Sequence, residues 1–386
     1  MISGDRSLAE GKHGAFYNTL EEFHKYWDRV DIVCPSIFNF LRPKTHNLKP
    51  ITCFGNVFIH PSPWPLILQP FWILKKGREI YREQKFNLMT VHEYPPFYNG
   101  IGARLLWNKI KIPYVLEIMH VPGYPKAASV KEEIYKTFLK FFIKPDSSKA
   151  KAIRVINKNQ TPGFLMRAGV ARSKLIYIPA FYIDLNIFCP LNAEKKYDLV
   201  FAARLEKNKG IVLLLRAISN IKVAYSAEAT SAAKAGKMPN VKLLIIGSGP
   251  LKANLQDYVK RNGLEHNVFF SGWLETLNDV ARAYNSAKIF VNPSLNEGGP
   301  RVVLEAMACG LPVITTRVGL MPDMIHDGEN GLFTDWTPNN MAEKIIHLIK
   351  DKELQNKFSE AGLELVKQFE RKEAIKNYAD KLQLLI

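Results

Sequence analysis

The stretch Asn296-Glu-Gly-Gly-Pro-Arg-Val-Val-Leu-Glu-Ala-Met-Ala-Cys-Gly310 sets two glutamates, Glu297 and Glu305, around a Gly-Gly-Pro turn in one of the most apolar parts of the chain. A carboxylate beside buried surface needs a partner, because desolvating it alone costs several kcal/mol. That partner is either another part of the protein or a ligand.

Two neighbouring segments share the form of this one: a strand, a glycine-containing turn, then a helix. In the first, Leu199-Val-Phe-Ala-Ala-Arg-Leu-Glu-Lys-Asn-Lys-Gly210, Arg204 and Lys209 leave a strand end just before a helix begins. The second is Leu243-Leu-Ile-Ile-Gly-Ser-Gly-Pro250, where Gly247 and Gly249 form the turn. In a doubly wound sheet such turns gather at the carboxyl edge of the strands, where ligands bind. Helix-start N–H groups with two fixed cations suit a di-anion such as a diphosphate. Singly, each piece has an ordinary reading. Arg204 and Lys209 are also what solvated surface charges look like, Gly-x-Gly is a common turn, and Glu297 and Glu305 are also a helix-capping and a helix-surface carboxylate. It is their coincidence, in this order, that points to a site.

Outward from these segments, short apolar runs alternate with helical patterns, which predicts parallel sheets with crossover helices, an α/β fold. Strands are expected at 30–34, 57–60, 88–92, 114–120 and 152–156 in the first half. In the second they are expected at 198–202, 241–246, 268–271, 289–292 and 313–316. The opening strand is unusually short, since Met1-Ile-Ser-Gly-Asp5 already runs into loop residues. At 386 residues the chain suits two domains. The proline-bounded stretch 178–190 marks the junction. Domains are expected at 1–185 and 186–365, with a C-terminal helix over 366–386 returning to the first. The small, polar run 221–240 reads as a surface insertion or helix extension.

Composition narrows the class. Hydrophobic residues make up 47% and charged residues 23%, which excludes a disordered chain. The four cysteines are scattered without a Cys-x-x-Cys or Cys/His cluster, so neither a disulfide framework nor a zinc site is expected. No secretory signal or spanning segment is legible, and a cytoplasmic location, peripheral on the inner face of a membrane, is expected. The net charge of +17 is uneven: residues 1–190 hold 27 Lys+Arg against 14 Asp+Glu, 27 − 14 = +13, which leaves +4 for the rest. With no recognition motif and with acids interspersed, nucleic acid is not the expected partner. An anionic membrane surface is the better candidate for the first domain, from the aromatic-rich stretch 61–76 and the basic-aromatic pattern 135–144. The competing reading of both is a core crossover helix.

The second half resembles the nucleotide-sugar domain of retaining glycosyltransferases of the GT-B fold, family four. The resemblance rests on Glu297 and Glu305 separated by seven residues and followed by Ala306-Met-Ala-x-Gly-x-Pro-Val313. It rests also on Arg204-Leu-x-x-x-Lys-Gly210, the Gly-x-Gly-Pro turn, Phe270-x-Gly272 and Asp327-Gly-Glu-Asn-Gly-Leu332. Weaker likeness continues through Val91-His-Glu-Tyr-Pro-Pro and the segment ending in His120. The resemblance implies two Rossmann-like domains facing each other across a central cleft, and hexosyl transfer from a nucleotide-diphosphate sugar to a glycan or lipid-linked acceptor in cell-surface polysaccharide or glycolipid synthesis. It implies His120 and Glu297 at the transferred sugar, Glu305 on the ribose, and Arg204, Lys209, Gly299, Arg301 and Val302 at the diphosphate. Gly247 and Gly249 would form the nucleotide turn, and Gly11 and Gly14 a possible phosphate loop. No cofactor or metal is implied, in keeping with the absence of Asp-x-Asp. A nucleotide-sugar-binding protein without transfer and a sugar-nucleotide epimerase or phosphorylase on the same fold are the alternatives. Glu297-Gly-Gly-Pro300 departs from the family's Glu-Gly-aromatic-Gly: proline removes one backbone N–H, at a place where donor preference is set.

Overall fold

The computed structural model describes residues 1–12, 14–36, 50–228 and 241–386. Most of the run expected to form an insertion, 229–240, lies outside them. The chain divides into two compact units. The first comprises Met1–Val121, Glu133–Ala180 and Lys372–Ile386; the second comprises Pro122–Glu132 and Phe181–Arg371.

In the first unit the strands are β1 (Val30–Pro35), β2 (Ile51–Cys53), β3 (Val57–Ser62), β4 (Met89–His92), β5 (Tyr114–Ile118), β6 (Ala152–Val155) and β7 (Leu175–Tyr177). They run in two sets, β2-β3-β1 and β4-β5-β6-β7. A single residue joins the sets: Ile2 bridges Val33 on one side and Val91 on the other, both in parallel. Its amide donates to Thr90 O at 2.7 Å and its carbonyl accepts from His92 N at 2.9 Å. The opening strand is thus shortened to one bridging residue. Helices α1 (Ala15–Phe23), α2 (Gln69–Glu83), α3 (Tyr98–Ile110), α4 (Val130–Ser148), whose first turn falls in the second unit, and α5 (Gln160–Arg167) make the connections.

The five expected strands of this half all form; β2 and β7 are additional. Each is three residues long, too short for an apolar period to register. β2 is also the one antiparallel partner among the described strands.

The second unit holds β8 (Tyr197–Ala202), β9 (Leu243–Ile246), β10 (Val268–Gly272), β11 (Ala287–Asn292), β12 (Val313–Thr315) and β13 (Leu332–Phe333). Between them lie α6 (Ile211–Glu228), α7 (Lys252–Arg261), α8 (Leu277–Asn285), α9 (Arg301–Ala308) and α10 (Met321–Met324), followed by α11 (Pro338–Lys350) and α12 (Lys352–Val366). The sheet order is β10-β9-β8-β11-β12-β13, parallel throughout. Its strands are apolar on both faces, as a sheet covered by helices on each side requires. Leu199, Leu243, Ile245, Ile289 and Ile314 are buried in one cluster with Leu214 and Ile218 of α6 and Ile345 of α11. From β8 the chain steps to β9 and β10 on one side, then returns to build β11, β12 and β13 on the other. The switch point therefore falls between β8 and β11.

The last helix, α13 (Arg371–Gln383), packs on the first unit through Ile375, Tyr378, Ala379 and Leu382. Its anchor is electrostatic. Glu117, fully buried in β5, accepts from the Tyr378 hydroxyl at 2.6 Å and from Arg154 Nη1 of β6 at 2.9 Å. His92 Nε2 of β4 lies 2.7 Å from its other oxygen. Arg154 lies over the Tyr378 ring at 3.7 Å and donates to the carbonyls of Ile178 and Pro179. Burial acts to raise the Glu117 pKa, but Arg154, His92 and Tyr378 together outweigh it and hold the group at about 2. The sign follows: a carboxyl held below its ordinary value of 4.5 contributes stability above that pH, lost as pH falls toward 2.

Substituting Glu117→Ala strands a buried guanidinium and is expected to destabilise the first unit by roughly 3–5 kcal/mol. Urea unfolding followed by a probe in that unit reads the change, and an unchanged midpoint would show that the network carries no stability.

Candidate functional site

The site is assembled at the switch point of the second unit, from the loops that leave β8 and β11. After β8 the chain passes through a 3-10 turn, Lys207–Lys209, closed by Gly210 in the left-handed region at φ +69°. A Cβ on Gly210 would stand 1.9 Å from the Pro293 carbonyl oxygen, so only glycine lets the two loops touch. Leu295 N then donates to Asn208 O at 2.8 Å, which ties them together.

This contact brings Lys209 to Glu297. The ammonium lies 2.9 Å from Oε2, with both side chains largely sheltered from solvent. The other oxygen, Oε1, is 2.7 Å from the Ser294 hydroxyl, which also lies 2.9 Å from Asn292 Oδ1. The Ser294 carbonyl is held in turn by the Thr316 hydroxyl at 2.6 Å and the Trp336 indole N–H at 2.9 Å. Gly319, at φ +54°, presses on the other side of the turn: its Cβ would fall 2.1 Å from Gly298 O. The Glu297 carboxylate is therefore set by backbone packing before any ligand arrives.

The helix α9 follows directly. Pro300 occupies its N-cap position and offers no side-chain cap to the first-turn N–H groups of Arg301 and Val302. Gly299 packs against Phe181, whose ring would lie 2.1 Å from an added Cβ. The Arg301 side chain turns back along the helix, with Nε 3.0 Å from Glu305 Oε1. Glu305 Oε2 accepts from the Tyr284 hydroxyl of α8 at 3.2 Å. The partner of Glu305, left open by the sequence, is thus the protein itself. An ionised carboxylate has about four lone-pair directions, so two remain for further donors. The Tyr284 hydroxyl is pushed far above its ordinary pKa, by burial first and by Glu305 second, and stays a donor.

Other expected residues stand apart from this cluster. The Arg204 side chain is 71% exposed and lies 3.4 Å from Glu206. Gly247 and Gly249 have a packing role: a Cβ on the first would meet Ala203 O at 2.0 Å, and on the second the Leu205 backbone at 2.7 Å. Gly247 sits at φ +128° and donates to Gly272 O at 2.8 Å. These glycines let the β9 turn lie flat on the loop that carries Arg204. In the first unit, Gly11 ends a 3-10 turn at φ +68° and Gly14 precedes α1. Gly4, close to them in the chain, is crowded, its side-chain space filled by the Tyr94 hydroxyl. His120 follows β5, half-buried. Among the described residues, no group of three His, Cys, Asp or Glu side chains is placed to hold a metal ion.

Sequence reading did not single out Ser294, Thr316, Trp336 and Tyr284. It also gave no sign that residues 122–132 belong to the second unit. That segment is clamped by Asn296, fully buried, whose amide donates to Lys126 O at 2.8 Å and to Glu132 Oε2 at 2.9 Å.

Residues 184–365 match the family model described as glycosyl transferases group 1. An uncharacterized glycosyltransferase of Methanocaldococcus jannaschii is 28% identical over 322 residues, 82% of each chain. Sucrose-phosphate synthase from Thermosynechococcus elongatus superposes with a TM-score of 0.79 at 18% identity, over 100% of this chain and 98% of its own. Anabaena HepE, solved in complex with UDP, gives 0.72 at 16%, over 99% and 98%. The fold is that of the GT-B glycosyltransferases. Residues 184–365 are thus a domain of the glycosyl transferases group 1, and the chain is a transferase.

A Gly210→Ala variant is expected to lose roughly 1–2 kcal/mol from the left-handed backbone alone, and more from the Pro293 contact. A chemical unfolding curve of the second unit checks this; a wild-type midpoint would contradict the loop packing described above.

Proposed function

We propose that the chain is a retaining hexosyltransferase that uses a nucleoside-diphosphate sugar, with the diphosphate received where Lys209 meets the start of α9. The observation that carries this reading is the Lys209–Glu297 pair, held at the sheet's switch point and followed directly by an uncapped helix start. A leaving diphosphate gains charge as the glycosidic bond breaks, and a fixed ammonium with helix-start N–H groups stabilises it without a metal. Lys209, Gly299, Arg301 and Val302 would serve the diphosphate, the last three through their backbone N–H groups. Arg204, exposed beside Glu206, would join them when the donor binds. Glu305, already held by Arg301 and Tyr284, would use its remaining lone pairs for the ribose hydroxyls.

Glu297 has one oxygen on Lys209 and the other on Ser294, which suits a group that positions sugar hydroxyls better than a nucleophile. Retention would then proceed on one face through an ion-pair-like state, with the departing phosphate helping to deprotonate the acceptor. His120 is assigned to the transferred sugar by resemblance. UDP is the first nucleotide to try, since HepE was solved with it. The acceptor would be a glycan or a lipid-linked molecule.

The test is a panel of UDP-, GDP- and ADP-sugars with nucleotide release as the readout. Release from at least one donor is expected, and neither release nor binding with any of them would remove the proposal. With the accepted nucleotide, Glu305→Gln is expected to weaken binding by roughly 1.5–3 kcal/mol in titration calorimetry. Wild-type affinity would assign Glu305 to helix packing alone.

A further inference from the structure

Two apolar groups on the first unit face solvent although the helices that carry them also have a buried side. On α4, Leu139 and Ile143 are buried while Ile134, Phe138 and Phe141 are 47%, 48% and 70% exposed. The spacing of four and three places these three on one stripe, at the outer apex of the helix. In α2, Trp72 and Ile73 enter the core, but Phe71, with Ile67 and Leu68 of the 3-10 turn just before the helix, is exposed: 68%, 40% and 56% for Ile67, Leu68 and Phe71. A core crossover helix needs apolar residues on its inner side only, so the outward ones call for a different explanation.

The two groups lie on one layer. The chain runs β3-α2-β4-α3-β5-α4-β6, and β4, β5 and β6 are adjacent parallel strands. Right-handed crossovers then place α2, α3 and α4 on the same face. Their contacts agree: Gly77 of α2 packs on Leu106 of α3, Gly102 of α3 on Ile73 of α2, and Phe97 stacks with Phe142 of α4 at 5.5 Å. Helices in such units run antiparallel to the strands, so the first turns of α2 and the first half of α4 both lie toward the carboxyl edge of the sheet. The charge beside each group is basic. Lys140 and Lys144 are exposed on α4, and Lys75 and Arg78 on α2. The nearby acids Glu133 and Glu79 are neutralised by Lys136 and Lys76, at 2.7 and 2.6 Å.

We propose that this helical layer docks the first unit on an anionic lipid surface, with Ile67, Leu68, Phe71, Ile134, Phe138 and Phe141 entering the interface. Apolar side chains at the apex with cations on the flanks are what the boundary between headgroups and acyl chains accepts, and anionic headgroups complement the flanking lysines. The contact is interfacial: among the described residues no helix is long and apolar enough to cross a membrane.

The experiment is flotation of the full chain with vesicles of phosphatidylcholine alone and of phosphatidylcholine with one part in three of phosphatidylglycerol. Binding to the anionic vesicles at low salt, weakened at high salt, is expected. The double variant Phe138→Ser/Phe141→Ser is expected to bind on the order of tenfold less, with wild-type circular dichroism and thermal midpoint. Lys140→Glu/Lys144→Glu, which leaves the apolar stripe intact, should lose the preference for anionic vesicles and keeps the test open if the first variant misfolds. No flotation of the wild type at low salt would overturn the proposal, as would wild-type binding by both double variants. So would sedimentation velocity showing a wild-type dimer that the phenylalanine variant dissociates, since the stripe would then be covered by a second copy.

Discussion

The second unit is organised around one ion pair, Lys209 with Glu297, formed by residues 88 positions apart in the chain (297 − 209). Everything that brings them together is backbone packing: Gly210 against the Pro293 carbonyl, Leu295 N on Asn208 O, and Gly319 against Gly298. A partly buried pair of this kind is weak evidence of stability, because desolvation offsets much of the Coulomb gain. Its placement says more. The loops that carry it leave the neighbouring strands β8 and β11, where the strand order switches, the position at which ligands bind in sheets of this kind. The glycines let the two loops approach closely enough to place a cation and a carboxylate side by side there.

The two glutamates of the opening stretch do different work although they sit eight residues apart. Glu297 is in the turn, oriented by Lys209 and Ser294. Glu305 is on the inner side of α9, oriented by Arg301 one turn earlier and by Tyr284 from α8. Both carboxylates are satisfied by the protein and both keep lone pairs in reserve, the condition for a preorganised site that adds a ligand without rebuilding itself. Pro300 between them supplies no N–H and stands at the N-cap of α9, between Gly299 and the first helical residues Arg301 and Val302.

Much of this was legible in the sequence, for identifiable reasons. All ten expected strands form, because each is a run of apolar residues bounded by turns. The three that were missed, β2, β7 and β13, have only two or three residues each, and Ile2 acts as a strand of one. The pairing of Arg301 with Glu305 was open to a reader who noticed the spacing of four on a helix. The Lys209–Glu297 pair was not, except through family resemblance, since nothing local links the two. Tyr284, Trp336 and the clamp of Asn296 on residues 122–132 depend on tertiary placement alone. For Gly247 and Gly249 the close approach of the neighbouring loop at Ala203 and Leu205 also depends on tertiary placement.

The central claim is that the switch-point site of the second unit receives a nucleoside diphosphate through Lys209. Titration calorimetry of UDP into the wild type and into Lys209→Ala tests it most directly, at two salt concentrations. Loss of a charge-assisted contact predicts affinity lower by roughly tenfold to a hundredfold and a shallower salt dependence in the variant. Equal affinity and equal salt dependence in the two proteins would contradict it.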